Sequence, residues 1–276
     1  MSIATNEPAQ PVHLPSLPGR LRPFVRLALV GGVVLLLDAA TARLSEHGLL
    51  LPASIVTVAR ILSASVIFRY PLAGFVFALE VDKWDWFWLG MPDLSDADHA
   101  WYQEWDKVMD LVTLGAAAAT TFYWRDHLAR NLALGTFALR LVGVAAFTMT
   151  QHRWLLIAFP NLFESIYLLY MIFRVLTGQH QLLHSRASAA VVMLALLIPK
   201  LGQEYFLHHL EQRPWHIYHL LPWPTLNAWL WGGLLYALPL AALVVLVWCS
   251  HGRATSRDPE VQLEAPALFG DQPGAS

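Results

Sequence analysis

Apolar stretches long enough to cross a bilayer recur along this chain, at about residues 24–42, 54–70, 71–89, 105–124, 132–149, 154–176, 188–206 and 225–249. A hydrocarbon core of ~30 Å takes about 20 residues of helix, and each backbone amide within it must find its partner inside the protein. The runs exceed the ~10 residues of a barrel strand, so they predict helices and not a β-barrel. The second and third meet at Arg69-Tyr70-Pro71. Proline lacks an amide hydrogen and suits the first turn of a new helix, so this pair reads as two short spans or as one kinked or re-entrant element. The expected fold is all-α: a polytopic membrane bundle of seven or eight spans over residues 24–249. Polar, disordered segments flank it at 1–23 and 250–276.

Composition agrees. The chain is 56% hydrophobic and 14% charged, against about 25% charged in a soluble domain. A net charge of −2 gives no basic surface for nucleic acid. A single cysteine, Cys249, excludes an intrachain disulfide and a cysteine metal site. Many of the twelve tryptophans, including Trp84, Trp86, Trp88, Trp101 and Trp105, fall near the ends of apolar runs, as interfacial belts do. The first apolar run lacks a following cleavage pattern and reads as a retained span. With eight spans, arginines such as Arg20, Arg22, Arg26, Arg69, Arg125 and Arg130 fall on the side of the termini, and Lys83, Lys107, Arg153 and Lys200 on the other. That bias predicts a membrane protein with both termini cytoplasmic.

A charge at the centre of a membrane helix costs about 2.5–3.5 kcal/mol, so charges that remain there face a cavity or a partner. Asp82 and Asp85 precede the loop expected at 90–104, and Asp106 and Asp110 follow it, spaced i,i+4 on one helix face. Arg140 lies mid-run. Asn161, Glu164 and Tyr167 share a face of the sixth run, and Lys200, Glu204 and His208 form an i,i+4 ladder in the seventh, with Gln203 beside them. In the eight-span topology all these groups fall in the outer half of the membrane, which predicts a polar cavity open to that face. Adjacent buried carboxylates repel unless a proton or cation lies between them, and an oxygen-only cluster suits Mg²⁺, Mn²⁺ or Ca²⁺. Plainer readings stand beside this one. Lys200–Glu204 reads equally as an intrahelical ion pair, Arg140 as a structural partner of Glu164 or Asp110, and Asp38 and Arg60 as partners of each other. His208, His209, His216 and His219 read as solvated loop residues.

The pattern Asp82-x-x-Asp85 followed by Asp106-x-x-x-Asp110 resembles the acidic signature of the CDP-alcohol phosphotransferase family, and Thr57 and Arg60 in SIVTVARILSA resemble that family's first core helix. The resemblance covers about residues 54–115. It implies that Asp82, Asp85, Asp106 and Asp110 are metal ligands, with Asp110 doubling as general base. Trp86 and Tyr102 stand where the family has glycine. The boxes YQEWDKVMDL, RLVGVAAF, FPNLFESIYLLY and PKLGQEYFLHH are also similar, in that order, to a group of uncharacterised bacterial multi-pass membrane proteins. That second resemblance implies a discrete family and no activity.

Together these readings point to a divalent-metal-dependent transferase (Mg²⁺ or Mn²⁺) acting on a membrane lipid or lipid-linked phosphate. Asp82, Asp85, Asp106 and Asp110 would hold the metal. Asp110, Glu204 and His208 would move protons, and Arg140, Asn161, Glu164, Lys200 and Gln203 would bind substrate. The alternatives are an ion-coupled carrier, against which no inverted repeat is visible, and an accessory subunit whose charges only fix helix packing.

Overall fold

The computed structural model describes residues 22–46, 50–91, 96–210 and 217–254. Their long elements are all helices: α1 (Arg22–Glu46), α2 (Ala53–Val66), α3 (Pro71–Trp88), α4 (Asp96–Thr121), α5 (His127–Thr150), α6 (Trp154–Ala158), α7 (Leu162–Thr177), α8 (Arg186–His208) and α9 (Pro224–Ala254). The eight apolar runs correspond to these helices, with two differences. The sixth run is broken, with α6 and α7 meeting at Phe159-Pro160-Asn161. Part of the expected 90–104 loop is helical, because α4 begins at Asp96 and already buries Tyr102.

Among the described residues, three segments are long and apolar enough to cross a membrane: His127–Thr150, Trp154–Thr177 counted through the break, and Arg186–Phe206. Length or charge holds back α2, α3 and α4. At 14 residues α2 is about 21 Å long, less than a ~30 Å core. The charges of Asp106, Lys107 and Asp110 lower the hydropathy of α4, and those of Glu80, Asp82, Lys83 and Asp85 lower that of α3. The burial pattern inverts that of a soluble protein. Arg60, Asp85, Arg140 and Glu204 are buried, while Leu62, Val142, Val191, Ile198 and Val245 are each more than half exposed.

α7 is the central helix, packing against α1, α3, α4, α5, α8 and α9. It buries Phe163, Ile166, Tyr167, Tyr170 and Phe173, and Trp124 stacks on Tyr170 with centroids 3.7 Å apart. α2 and α3 form a hairpin at the expected Pro71 start. A side chain at Gly74 would put its Cβ 2.6 Å from the Ile67 amide nitrogen, so this close crossing admits only glycine. The Asp126 carboxylate locks the opposite end of α5. Its Oδ1 caps the helix at the Ala129 amide (2.9 Å), and its Oδ2 accepts from the Leu182 and Leu183 amides (both 2.8 Å), tying the α7–α8 connection to α5. Truncation at Asp126 removes a helix cap and strands two buried donors. Asp126→Ala is therefore expected to lower stability by about 2–4 kcal/mol, read as a lower melting temperature in detergent. An unchanged melting temperature would remove this staple from the account.

Candidate functional site: a carboxylate–guanidinium centre beside a broken helix

Arg60 lies on the face of α2 that also buries Val56, Ser63 and Ala64, an i, i+3, i+4 stripe turned into the bundle. Its guanidinium is 1% exposed and meets three aspartates from two other helices. Nη1 donates to Asp82 and lies 3.1 Å from Asp85 Oδ2, and Nη2 donates to Asp110 Oδ1 at 3.2 Å. Lys107 reaches back to Asp106 (2.6 Å) and Asp110 (3.4 Å). The four aspartates singled out in the sequence therefore converge, and the i,i+4 pair in α4 faces inward as expected. Asp38, read in the sequence as a partner for Arg60, has its side chain outside the described residues; Arg60 is the hub of the acidic cluster. Lys107, expected among the outer-face charges, is its second cation.

The two departures from the family pattern touch each other. Trp86 packs edge-on against Tyr102, with centroids 4.9 Å apart, and the Tyr102 hydroxyl donates to Asp85 Oδ1 at 2.5 Å. One ring thus supports the tyrosine that fixes the most buried carboxylate. On the adjoining turn the Trp105 indole donates to Thr57 Oγ1 at 3.1 Å, pinning α4 to α2.

Four carboxylates face two cations here, leaving two negative charges unmatched among the described residues if all are ionised. One oxygen each from Asp82, Asp85 and Asp106 lies within 4.8 Å of the others. Oxygens on opposite sides of a divalent ion with bonds of about 2.1–2.4 Å are about 4.2–4.8 Å apart. Asp85 Oδ2 is buried and accepts no hydrogen bond. Hard oxygen donors close enough to share one ion fit a hard divalent cation.

The second polar group is built around the helix break. Backbone freed at membrane depth has to be satisfied by side chains, and Arg140 and Glu204 do this. Arg140 Nη1 donates to the Phe159 carbonyl at 3.1 Å, and Glu204 Oε1 accepts from the Asn161 amide at 3.3 Å. Asn161 caps α7, and its side-chain amide donates to Glu164 at 2.9 Å. Lys200 bonds Gln203 (3.1 Å) and ion-pairs with Glu204 (3.7 Å) and Glu164 (4.0 Å). The Lys200–Glu204 pairing expected from the i,i+4 spacing is present. Arg140 bonds the break's backbone, where the sequence suggested a carboxylate partner. The break can approach α5 because residue 143 is glycine: a Cβ there would lie 2.3 Å from Phe159 Cβ. His208 ends α8, and its side chain lies outside the described residues.

A polar cavity of about 60 Å³ joins the two groups. Arg60, Asp82, Asp110 and Thr113 line it from one side and Glu164 from the other. The sequence located the carboxylates well and Arg60 poorly. The burial-cost argument that marked Arg140 applied equally to Arg60, the only charge in α2. The role of Tyr102 had no local signal, because it depends on Trp86 one helix away.

The chain matches no family model, no curated protein and no solved structure.

Gly143→Ala forces Phe159 away from α5 and with it the carbonyl that Arg140 holds. Overpacking of this kind costs about 1–3 kcal/mol. Thermal melts in detergent are expected to show that loss for Gly143→Ala and almost none for Gly135→Ala, where a Cβ meets nothing within 4 Å. Equal behaviour of the two variants would contradict the close contact.

Proposed function

We propose that the chain is a membrane-embedded, divalent-metal-dependent transferase acting on a lipid or lipid-linked phosphate. In this reading it spans the plasma membrane of a bacterial-type cell seven or eight times, with both termini cytoplasmic. The observation that carries the proposal is the convergence of Asp82, Asp85 and Asp106 around one point, beside a cavity that reaches Glu164. The outward apolar faces and the inward charges support the membrane setting. The CDP-alcohol phosphotransferase resemblance supports the metal role of the four aspartates.

Asp82, Asp85 and Asp106 would hold the ion, with Asp110 beside them on the cavity wall. When bound, the ion supplies Lewis acidity to a phosphate oxygen and neutralises its charge. Arg60 keeps the aspartates together before the ion arrives, which limits the rearrangement needed on binding. Asp110 faces the cavity and is the group placed to accept a proton from an incoming hydroxyl. Lys200 and Gln203 lie on the substrate side of Glu164. Arg140, Asn161 and Glu204 hold the break that positions Glu164, so they act through it. With the termini cytoplasmic, the acidic centre opens to the outer face. A donor embedded in the membrane then suits the site better than a nucleotide confined to the cytosol.

An ion-coupled carrier is the second reading, favoured by the polar cavity between Arg60, Asp110 and Glu164 and by the discontinuous α6–α7 segment.

Electron paramagnetic resonance of Mn²⁺ titrated into the purified protein separates these. One tight site is expected, weakened at least about tenfold by Asp85→Asn or Asp106→Asn and unaffected by Lys83→Ala. Absence of any Mn²⁺, Mg²⁺ or Ca²⁺ binding would end the transferase reading. Gradient-driven flux in proteoliposomes would then favour the carrier.

A further inference from the structure

Pro199 of α8 and Pro239 of α9 each lie in a helix interior, and both line one cavity of about 340 Å³ between α7, α8 and α9. Proline removes a helical hydrogen bond, and its ring crowds the preceding turn. Two such positions thus face one space from neighbouring helices. Its size is that of a small-molecule site.

The chemistry of the walls is graded. Leu168 of α7, Leu196 of α8, and Leu235 and Leu243 of α9 make the long part of the cavity apolar. Glu164, Lys200 and Gln203 make one end polar. That end adjoins the acidic centre, because Glu164 lines both this cavity and the small polar one bounded by Arg60, Asp82 and Asp110. An apolar slot ending in hydrogen-bonding groups next to a cation-demanding carboxylate cluster is complementary to an amphiphile with a hydrocarbon chain and a phosphate-bearing head. The exposed leucines and valines of α8 and α9 set the slot among hydrocarbon chains. Leu194, Leu240 and Val244 are each more than half exposed.

We infer that this groove takes one hydrocarbon chain of a membrane phospholipid, with its phosphate headgroup directed past Lys200 and Gln203 toward the aspartates. The inference rests on the transferase reading and names the slot for its lipid substrate. Glu164 is the positioning residue at the join: Asn161 and Lys200 hold its carboxylate where chain-binding and metal-binding spaces meet.

The test uses the full chain in phosphatidylethanolamine vesicles containing phosphatidylglycerol that carries a diazirine near the end of one acyl chain. After irradiation, peptide mapping is expected to place the adducts on groove residues such as Leu168, Leu196 and Leu235. Leu168→Trp and Leu235→Trp fill the groove from different helices and are expected to cut labelling of α8 by about tenfold. Ile198→Trp, on an exposed face of α8, is expected to leave it unchanged. Mn²⁺ binding by the groove variants reports that they are folded. Even labelling of the outer helix faces, insensitive to both groove variants while Mn²⁺ still binds, would overturn the inference and leave the transferase reading standing. Groove labelling that persists in protein unable to bind any divalent ion would keep the lipid slot and remove the metal-dependent reaction.

Discussion

The arrangement depends on a guanidinium buried among carboxylates. Removing Arg60 and its aspartates from water costs several kcal/mol for each ion, recovered only if every charge is well paired. The pairing draws on three helices: Arg60 from α2, Asp82 and Asp85 from α3, Asp106 and Asp110 from α4. α2 is too short, and α3 and α4 too charged, to meet the length and hydropathy of a span alone. If all four acids are ionised, the two bases among the described residues leave two negative charges for a divalent cation to offset.

The second organising element is the interruption between α6 and α7. Pro160 breaks the helix, and the freed Phe159 carbonyl and Asn161 amide are satisfied by Arg140 and Glu204. The four sequence boxes thereby acquire a physical meaning. RLVGVAAF supplies Arg140 and the close contact at Gly143, FPNLFE supplies the break and Glu164, and PKLGQEY supplies Lys200, Gln203 and Glu204. YQEWDKVMD supplies the acidic face across the small cavity. Residues far apart in the chain thus form two walls of one polar interior.

Much of this was legible in the sequence, and for one reason. Charge in an apolar run is costly, so the carboxylates of α4, the Lys200–Glu204 ladder and Arg140 marked the interior without any knowledge of tertiary contacts. What escaped depends on pairings between helices. The place of Arg60 among Asp82, Asp85 and Asp110 was not visible, because periodicity fixes the face of a residue and leaves its partners open. The bonds of Arg140 to the Phe159 carbonyl and of Glu204 to the Asn161 amide were not foreseen, because nothing local says that the backbone there will need them. Seven or eight spans were expected from run length; α3 and α4 match those runs in position, while their charges keep them below the hydropathy that α5, the α6–α7 segment and α8 reach.

The central claim is that the aspartate cluster is a cation site completed by something other than Arg60 and Lys107. Crystals grown with Mn²⁺ and measured at the manganese absorption edge test it most directly. The account predicts an anomalous peak bonded to oxygens of Asp82, Asp85 and Asp106 at about 2.1–2.3 Å, with Arg60 still contacting Asp110. A cluster closed around Arg60 alone, with no anomalous density among the four aspartates, would contradict it.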